Sequence, residues 1–373
     1  MARCRWGTPR TTLVSMFVAW RDLRFAKGRF TLMGTVIVLI TLLVGLLSGL
    51  TAGLARENIS AITGLPADRL AFAAPPSGQS ASFTNSTVTE EQWSGWAKRP
   101  GVTEADPLGI RTLNAAAGDH TAAVSAFGSE PDAGLAPGTV GAGKVVLSES
   151  AAEELAVGAG DRVRLGPLEV TVSAVSGDAS YSHTPVVWTS LDDWQKVGRS
   201  GTAAQEQATV IALSGDGVDW AAGDEAAGTE ARTLDGALTA IGSYQAENGS
   251  LQLMRGFLFA ISALVIGAFF TVWTIQRSGD VAVLKALGAS TPYLLKDALG
   301  QAVLMLTAGT LLGTALAVGI GALVSGGNVP FVLEPLTVLG PAAVIVVLGV
   351  LGAALSIRRI TAVDPLTALG SAR

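Results

Sequence analysis

The chain has 373 residues, of which 49% are hydrophobic and 15% are charged, with a mean hydropathy of +0.46 and a net charge of -5. This composition is too apolar for a soluble domain of ordinary make-up and predicts membrane-spanning segments. The acidic balance argues against nucleic acid as a partner, and a single cysteine, Cys4, excludes an internal disulfide.

Four stretches concentrate the apolar residues, near residues 31 to 55, 256 to 275, 298 to 325 and 332 to 357. A helix needs about 20 mostly apolar residues to cross roughly 30 Å of hydrocarbon, and each stretch meets that length. The first run is longer than the apolar core of a signal peptide, and no small-residue cleavage site is obvious after it. We therefore expect it to remain as a membrane anchor.

Basic residues flank the outermost spans and predict their orientation. Before the first span, seven Lys and Arg residues stand against a single acid, Asp22, and Arg358 and Arg359 follow the last span. An even number of spans puts both ends on one side, which the positive-inside rule makes cytoplasmic. Residues 56 to 250, with 25 acidic and 11 basic residues, are then extracytoplasmic, in a multi-pass protein of the plasma membrane.

The predicted fold class is a polytopic α-helical membrane protein with four transmembrane helices and an α/β extracytoplasmic domain inserted between the first and second. The predicted segments are a cytoplasmic tail with an amphipathic interfacial helix (1–30), the first span with an external extension (31–61), the extracytoplasmic domain (62–240), the second span with its extension (241–275), a cytoplasmic coupling loop (276–297), the third span (298–325), the fourth span (332–357) and a cytoplasmic tail (358–373).

Within the inserted domain, local patterns predict individual elements. A strand is expected at 144 to 147, a helix near 149 to 156 capped by Ser148, and two strands around Gly166. Further strands are expected at 185 to 189 and at 208 to 213. Residues 230 to 250 are expected to be helical and to lead back into the membrane.

The first span carries Gly45, Gly49 and Gly53 at four-residue spacing. Small residues at this spacing allow two helix backbones to approach closely in lipid, although glycine is also common in membrane helices generally. We expect another helix to pack on these glycines and assign them to dimer packing.

Two patterns that suggest chemistry do not hold up. Gly138, Gly143 and Lys144 have the spacing of a nucleotide-binding P-loop, but Val145 replaces the hydroxyl residue that would hold magnesium. The only histidines, His120 and His183, lack a ligand cluster at metal-binding spacing. With no nucleophile motif either, the sequence predicts a non-catalytic chain with no intrinsic cofactor and no metal site of its own.

The loop QRSGDVAVLKALGAS, from Gln276, predicts a short helix that ends at Gly288. Together with the closing RRITAVDPLTALG, it resembles signatures of the FtsX-like, MacB-type permeases, the membrane subunits of ATP-driven exporters. The resemblance covers the whole arrangement of one span, a large external domain and three further spans. It implies that the short helix seats in a groove of a separate ATPase.

By this resemblance, two copies of the chain work with two ABC ATP-binding subunits, which bind ATP and magnesium, in the lipid bilayer. The residues that would transmit ATP-driven closure are Arg277, Asp280, Leu284, Lys285, Leu287 and Gly288.

Residues 19 to 62, with GLPADRLAFA from Gly64, are similar to the haem-exporting permeases of Gram-positive bacteria. At 100° per residue, Glu57 falls about 40° around the helix from Gly53, on or beside the glycine face. Two such carboxylates in a twofold dimer are costly unless something neutralises them, and a ferric iron between them would do so. We therefore take Glu57 as a candidate axial ligand of haem.

Arg56 and Arg255 lie next to the outer ends of the first two spans and are candidates for the haem propionates. The plain alternative is that Glu57 pairs with Arg56 or faces water. Two other functions stay open: export of an amphipathic peptide, antibiotic or lipid by the same cycle, and a non-transporting signal relay to a cell-wall hydrolase.

Overall fold

The computed structural model describes residues 27–198, 207–324 and 329–361. They form two compact units. The membrane unit comprises the described residues up to Gly53 and from Leu251 onward, and the inserted domain runs from Leu54 to Ser250. The predicted interfacial helix and both predicted tails lie wholly or mostly outside the described residues.

The helices are α1 (Lys27–Thr63), α2 (Glu90–Ala97), α3 (Glu149–Leu155), α4 (Leu191–Gly198), α5 (Trp220–Ala227), α6 (Leu234–Ala237), α7 (Gly242–Gln276), α8 (Ser278–Ala286), α9 (Thr291–Val324) and α10 (Pro335–Thr361), with a 3-10 turn at Leu238–Ala240. The strands are β1 (Arg69–Ala73), β2 (Val88–Thr89), β3 (Val102–Ala117), β4 (His120–Ser129), β5 (Lys144–Leu147), β6 (Arg162–Leu165), β7 (Leu168–Val175), β8 (Ser180–Tyr181), β9 (Thr184–Ser190), β10 (Gln207–Ala208), β11 (Val210–Gly215) and β12 (Thr229–Thr233).

Four helices in the described part of the chain are long and apolar enough to cross a membrane: α1, α7, α9 and α10. Their number and order match the sequence prediction. The third begins earlier than predicted, at Thr291, because the polar turn after α8 is short. The fourth begins at Pro335, a residue suited to the first turn of a helix because it has no backbone N–H to satisfy.

Helices α1 and α9 approach closely along a ladder with a four-residue repeat. A Cβ added at Gly309 would lie 2.8 Å from Ile37, one at Gly313 would lie 2.7 Å from Thr41, and one at Gly45 would lie 2.9 Å from Ala317. Residue numbers rise together on both helices, so the two helices run parallel. This contact is the small-residue packing of membrane helices, in which close backbone approach replaces a hydrophobic driving force.

Gly49 and Gly53 continue the glycine face of α1 and lie against the segment before α10. The Phe331 ring lies against both Gly49 and Gly321, and the Pro330 carbonyl lies against Gly53. The Val332 N–H donates a hydrogen bond to the Gly49 carbonyl at 3.1 Å. The close packing predicted from the glycine spacing is thus found within one chain, and a dimer contact through the same glycines requires this segment to move away first.

The inserted domain is built on a mixed sheet with strand order β12-β1-β11-β3-β4-β9-β5-β7-β6, to which β8 adds beside β9. The 16-residue strand β3 pairs with β11, with β4 and, near its end, with β6. Strand β6 is the last strand in this order, so its pairing with β3 closes a circuit of six strands: β3, β4, β9, β5, β7 and β6. Buried side chains such as Val124, Leu147 and Leu165 form the core of that circuit.

The predicted elements around β5 and α3 are present. The Ser148 side chain caps α3 by accepting a hydrogen bond from the Ala151 N–H at 3.3 Å. Strands β6 and β7 form a hairpin whose turn has Gly166 at a φ of +54°, a conformation that glycine adopts readily.

The prediction of helix throughout residues 230 to 250 was wrong at its start. Thr229–Thr233 forms β12, which pairs antiparallel with β1. The segment has only weak periodicity of its own, and pairing with a neighbouring strand decides its conformation. Its last residue, Thr233, then caps α6 by accepting a hydrogen bond from the Gly236 N–H at 3.2 Å.

Candidate functional site

A tight hairpin turn of the inserted domain lies against α1 at Glu57. The turn joins β8 to β9 and consists of Ser182 and His183, whose φ angles are +51° and +61°. Turns of this shape favour Asn-Gly because the left-handed conformation costs other residues about 1–2 kcal/mol each. The chain thus keeps a serine and a histidine where glycine would be easier to accommodate.

The backbone of this turn is hydrogen-bonded to α1. The Ser182 N–H donates to the Asn58 carbonyl at 3.0 Å, and the His183 N–H donates to the Glu57 carbonyl at 3.2 Å. These two bonds fix the position of the histidine relative to the helix before any side-chain contact is considered.

The His183 imidazole lies between two carboxylates from different helices. Its Nδ1 is 3.6 Å from Oε2 of Glu57 on α1, and its Nε2 is 2.9 Å from Oε2 of Glu247 on α7. The first distance is longer than a hydrogen bond, and the second is that of a hydrogen bond. One ring therefore connects the outer part of α1 to the beginning of α7.

Asn58 completes this group and is buried, with 1% of its surface exposed. Its Oδ1 accepts a hydrogen bond from the Ser243 hydroxyl at 2.8 Å, and its Nδ2 lies 3.3 Å from Glu247 and 3.1 Å from His183. We call Glu57, Asn58, His183, Ser243 and Glu247 the Glu57 cluster. Every member has a polar partner in another member, as buried or half-buried polar groups require.

The Glu57 side chain is 45% exposed, compared with 30% for His183 and 39% for Glu247. A further carboxylate, Glu154 of α3, stands close enough for electrostatic repulsion. Burial raises the pKa of Glu154, and the charges of Glu153 and Glu57 raise it further. The Glu57 carboxylate therefore lies in a negative environment with His183 against it and nearly half of its surface accessible.

A carboxylate in this setting can bind a hard cation or a ferric iron through oxygen. Among the described residues, no three His, Cys, Asp or Glu side chains are placed to hold a metal ion. Within the described part of the chain, Glu57 therefore offers an accessible oxygen ligand that is not part of a three-ligand metal site.

The two arginines predicted to bind haem propionates and the P-loop-like segment are not part of the Glu57 cluster. Arg56 is exposed on α1, one residue before Glu57, and Arg255 is half-buried on α7. The P-loop-like segment is not followed by a helix, because Lys144 begins strand β5. The Gly143 N–H there donates to Asp193 at 2.6 Å, which gives that loop a structural role.

The short helix predicted after the second span is present as α8. It ends at Ala286, two residues before Gly288, which has a φ of +95° and whose N–H donates to the Lys285 carbonyl at 3.0 Å. Leu287 is 80% exposed and Leu284 is also exposed. Leu284 on α8 and Leu287 directly after it are thus large apolar side chains that are exposed in one chain.

At the beginning of α8, Arg277 lies over the Trp273 ring at 5.1 Å and hydrogen-bonds to Gln301 of α9. This residue therefore ties the junction of α7 and α8 to the next span. The side chain of Asp280 lies outside the part of the chain that the structure describes.

Sequence reasoning found Glu57 but missed its partners. His183 was considered only as a metal ligand, and Asn58 and Glu247 were not considered. The sequence does carry one signal for them, since Ser182 and His183 form a two-residue connection between strands without the usual glycine. The contact with α1 across 125 residues of chain has no local signature.

Two family models match the chain. The MacB-like periplasmic core domain model matches residues 30–230, and the FtsX-like permease C-terminal model matches residues 253–365. A Staphylococcus haemolyticus protein, named as the permease HrtB of a hemin transport system, is 26% identical over 95% of this chain and 99% of its own length. An uncharacterized ABC transporter permease of Mycobacterium tuberculosis is 26% identical over 74% of this chain and 76% of its own.

Among solved structures, the periplasmic region of MacB from Actinobacillus actinomycetemcomitans covers 47% of this chain and 92% of its own, with 11% identity and a TM-score of 0.34. The first family model alone spans more than half of the chain, and the second covers most of α7 and all of α8, α9 and α10. The chain belongs to the FtsX-like, MacB-type permeases, the membrane subunits of ABC transporters, which work with an ATP-binding partner.

Proposed function

We propose that this chain is the permease subunit of an ATP-driven exporter that expels haem from the membrane. Two copies would form a homodimer with two ATP-binding subunits, which hydrolyse the ATP. The observation that carries the proposal is the half-exposed carboxylate of Glu57. It lies on α1, a helix long enough to span the membrane, and beside His183 of the β8–β9 turn. Similarity to permeases named for hemin transport, over 95% of the chain, supports the choice of cargo.

In this proposal, the Glu57 carboxylates of two copies supply axial oxygen ligands to ferric haem. Haem is the cargo, so a weak ligand suits a site that must release it. Arg56 and Arg255 would attract the anionic propionates. ATP-driven closure of the dimer would then expel the haem from the outer leaflet.

The binding test uses the purified complex in nanodiscs, titrated with haemin and followed at the Soret band. We expect saturable binding in the wild type, and loss of most of it in Glu57→Gln, which keeps the side-chain shape but removes the ligand charge. Glu154→Gln is the matched control, because it removes a neighbouring negative charge from α3. Equal binding by wild type and Glu57→Gln would contradict the ligand assignment.

A cellular test addresses the cargo. Cells that lack this chain should become sensitive to haemin and should regain resistance with wild-type protein but not with Glu57→Gln. Sensitivity to membrane-active peptides with unchanged haemin tolerance would favour export of an amphipathic peptide instead. Unchanged tolerance to both would favour a signal relay.

We also propose that α8 is the contact for the ATPase and that both ends of the chain are cytoplasmic. Leu287→Asp should abolish haemin-stimulated ATP hydrolysis and leave the Soret titration unchanged, because the substitution changes only an exposed side chain directly after α8. Cys4 should react with a membrane-impermeant maleimide only after permeabilisation. A cysteine introduced at the exposed Asp119, in a Cys4→Ser background, should react in intact cells.

A further inference from the structure

His183 touches Glu57 through both its backbone and its side chain. Its N–H donates to the Glu57 carbonyl at 3.2 Å, and its Nδ1 lies 3.6 Å from the Glu57 carboxylate. Glu57 has rotatable side-chain bonds that would otherwise let the carboxylate sample several directions. The contact with the imidazole limits these directions, and the hydrogen bond of the His183 N–H fixes the His183 backbone against α1.

The far side of the imidazole makes shorter contacts than the side that faces Glu57. Its Nε2 lies 2.9 Å and 3.1 Å from the two carboxylate oxygens of Glu247 and 3.1 Å from the Asn58 amide. The Asn58 amide is itself fixed by Ser243. The ring thus has partners at both nitrogens, so its orientation toward Glu57 is set by residues of α1 and α7.

The backbone conformation of His183 gives an independent argument. A φ of +61° favours glycine or asparagine, so a histidine here carries a conformational cost of about 1–2 kcal/mol. A side chain that served only to complete the turn would be improved by replacement with glycine. The strain therefore points to a role for the imidazole itself.

We propose that His183 is a positioning residue that orients the Glu57 carboxylate toward the cargo. This inference rests on the haem-binding role of Glu57 proposed above. Groups that hold a metal-binding side chain in place typically affect metal affinity about 10–100-fold when they are removed. The inference goes further than the ligand assignment, because it makes a hairpin of the inserted domain part of the haem site.

Three substitutions at His183 separate the two sides of the ring. His183→Gly removes the imidazole and favours the positive φ, so the turn is kept. His183→Asn also tolerates that φ and places an amide near the position of Nδ1, facing Glu57. His183→Gln extends its amide toward the position of Nε2, facing Glu247.

The measurement is the haemin titration of the complex in nanodiscs, with the visible spectrum of the bound ferric haem recorded at saturation. We expect His183→Gly to weaken binding about 10–100-fold and to shift the spectrum. His183→Asn should restore most of the affinity and the wild-type spectrum, whereas His183→Gln should not. Thermal unfolding of each variant without haemin reports on the fold separately.

The outcomes separate this inference from the proposed function. If Glu57→Gln binds haemin normally, the ligand assignment fails and the inference fails with it. If Glu57→Gln loses binding while His183→Gly keeps wild-type affinity and spectrum, only the inference is wrong. If all three His183 variants lose affinity and melting temperature equally, His183 has a structural role, which also overturns the inference.

Discussion

The two parts of α1 are held by opposite means. Between Ile37 and Gly53, the helix packs through small residues against α9 and the segment at Phe331. At Glu57 and Asn58 the same helix is held by hydrogen bonds and charge from the β8–β9 turn and the beginning of α7. Helices in lipid associate through close packing, because lipid tails are as apolar as the helix side chains and give no hydrophobic driving force. Segments outside the lipid can instead be positioned by hydrogen bonds between polar groups.

Steric change should break the inner part first. Gly53→Ala would place a Cβ 2.0 Å from the Pro330 carbonyl, which no side-chain rotation relieves. We expect the largest loss of stability here, about 3 kcal/mol, because overpacking forces backbone shifts. Thermal unfolding in detergent measures it. Gly34→Ala is the matched control on the same helix, where an added Cβ meets nothing within 4 Å. Equal melting temperatures for the two variants would contradict the packing.

Loss of polar partners should break the outer part. Asn58→Ala removes a buried amide and its hydrogen bond with the Ser243 hydroxyl. The expected cost is about 2 kcal/mol, since the partners of the lost amide keep the cost of leaving water without the hydrogen bond that compensated it. Asn114→Ala, at an exposed position of β3, should change the unfolding temperature little. A neutral Asn58→Ala would mean that water replaces the amide without loss.

Acid should have a smaller effect, through Asp193 on α4 of the inserted domain. Burial acts to raise the pKa of Asp193, but hydrogen bonds from the Gly143 N–H, Lys196 and Ser190 outweigh it, and the pKa is lowered from 3.8. The carboxylate therefore stabilises the inserted domain fully above that value, and this contribution is lost as pH falls through the lower folded-state pKa.

For Asp193→Asn we expect a loss of about 1 kcal/mol at neutral pH and a weaker dependence of stability on pH below 4. Chemical unfolding followed by tryptophan fluorescence between pH 2.5 and 7 measures both. Asp192→Asn changes an exposed neighbour and should follow the wild-type curve. Parallel curves for Asp193→Asn and the wild type would remove Asp193 from this account.

The parts of the fold that were predicted correctly have strong local signals. The four spans follow from long apolar runs, and α3 follows from Ser148 and the apolar pattern after it. Strand β12 was missed because Thr229–Thr233 becomes a strand only by pairing with β1. The closed circuit through β3 and β6 was also out of reach, since it depends on contacts between residues about 50 positions apart.

The residues of the candidate site also differ in whether the local sequence indicates them. Glu57 could be picked out because its place on α1 follows from helical geometry. Its partners could not, because Glu57 meets His183 and Asn58 meets Glu247 only when distant segments of the inserted domain fold together. The glycines were recognised as packing residues, but spacing alone does not say which surface they meet. Within one chain that surface is α9 and the segment at Phe331.

The regular ladder between α1 and α9 restricts how these helices can slide. Contacts repeat every four residues, from Ile37 and Gly309 to Gly45 and Ala317. A slip of one or two residues would drive side chains into backbone, whereas a slip of one full repeat, about 6 Å along the axis, would place small residues opposite one another again. An axial displacement of these helices that preserved this packing would therefore have the length of a whole repeat.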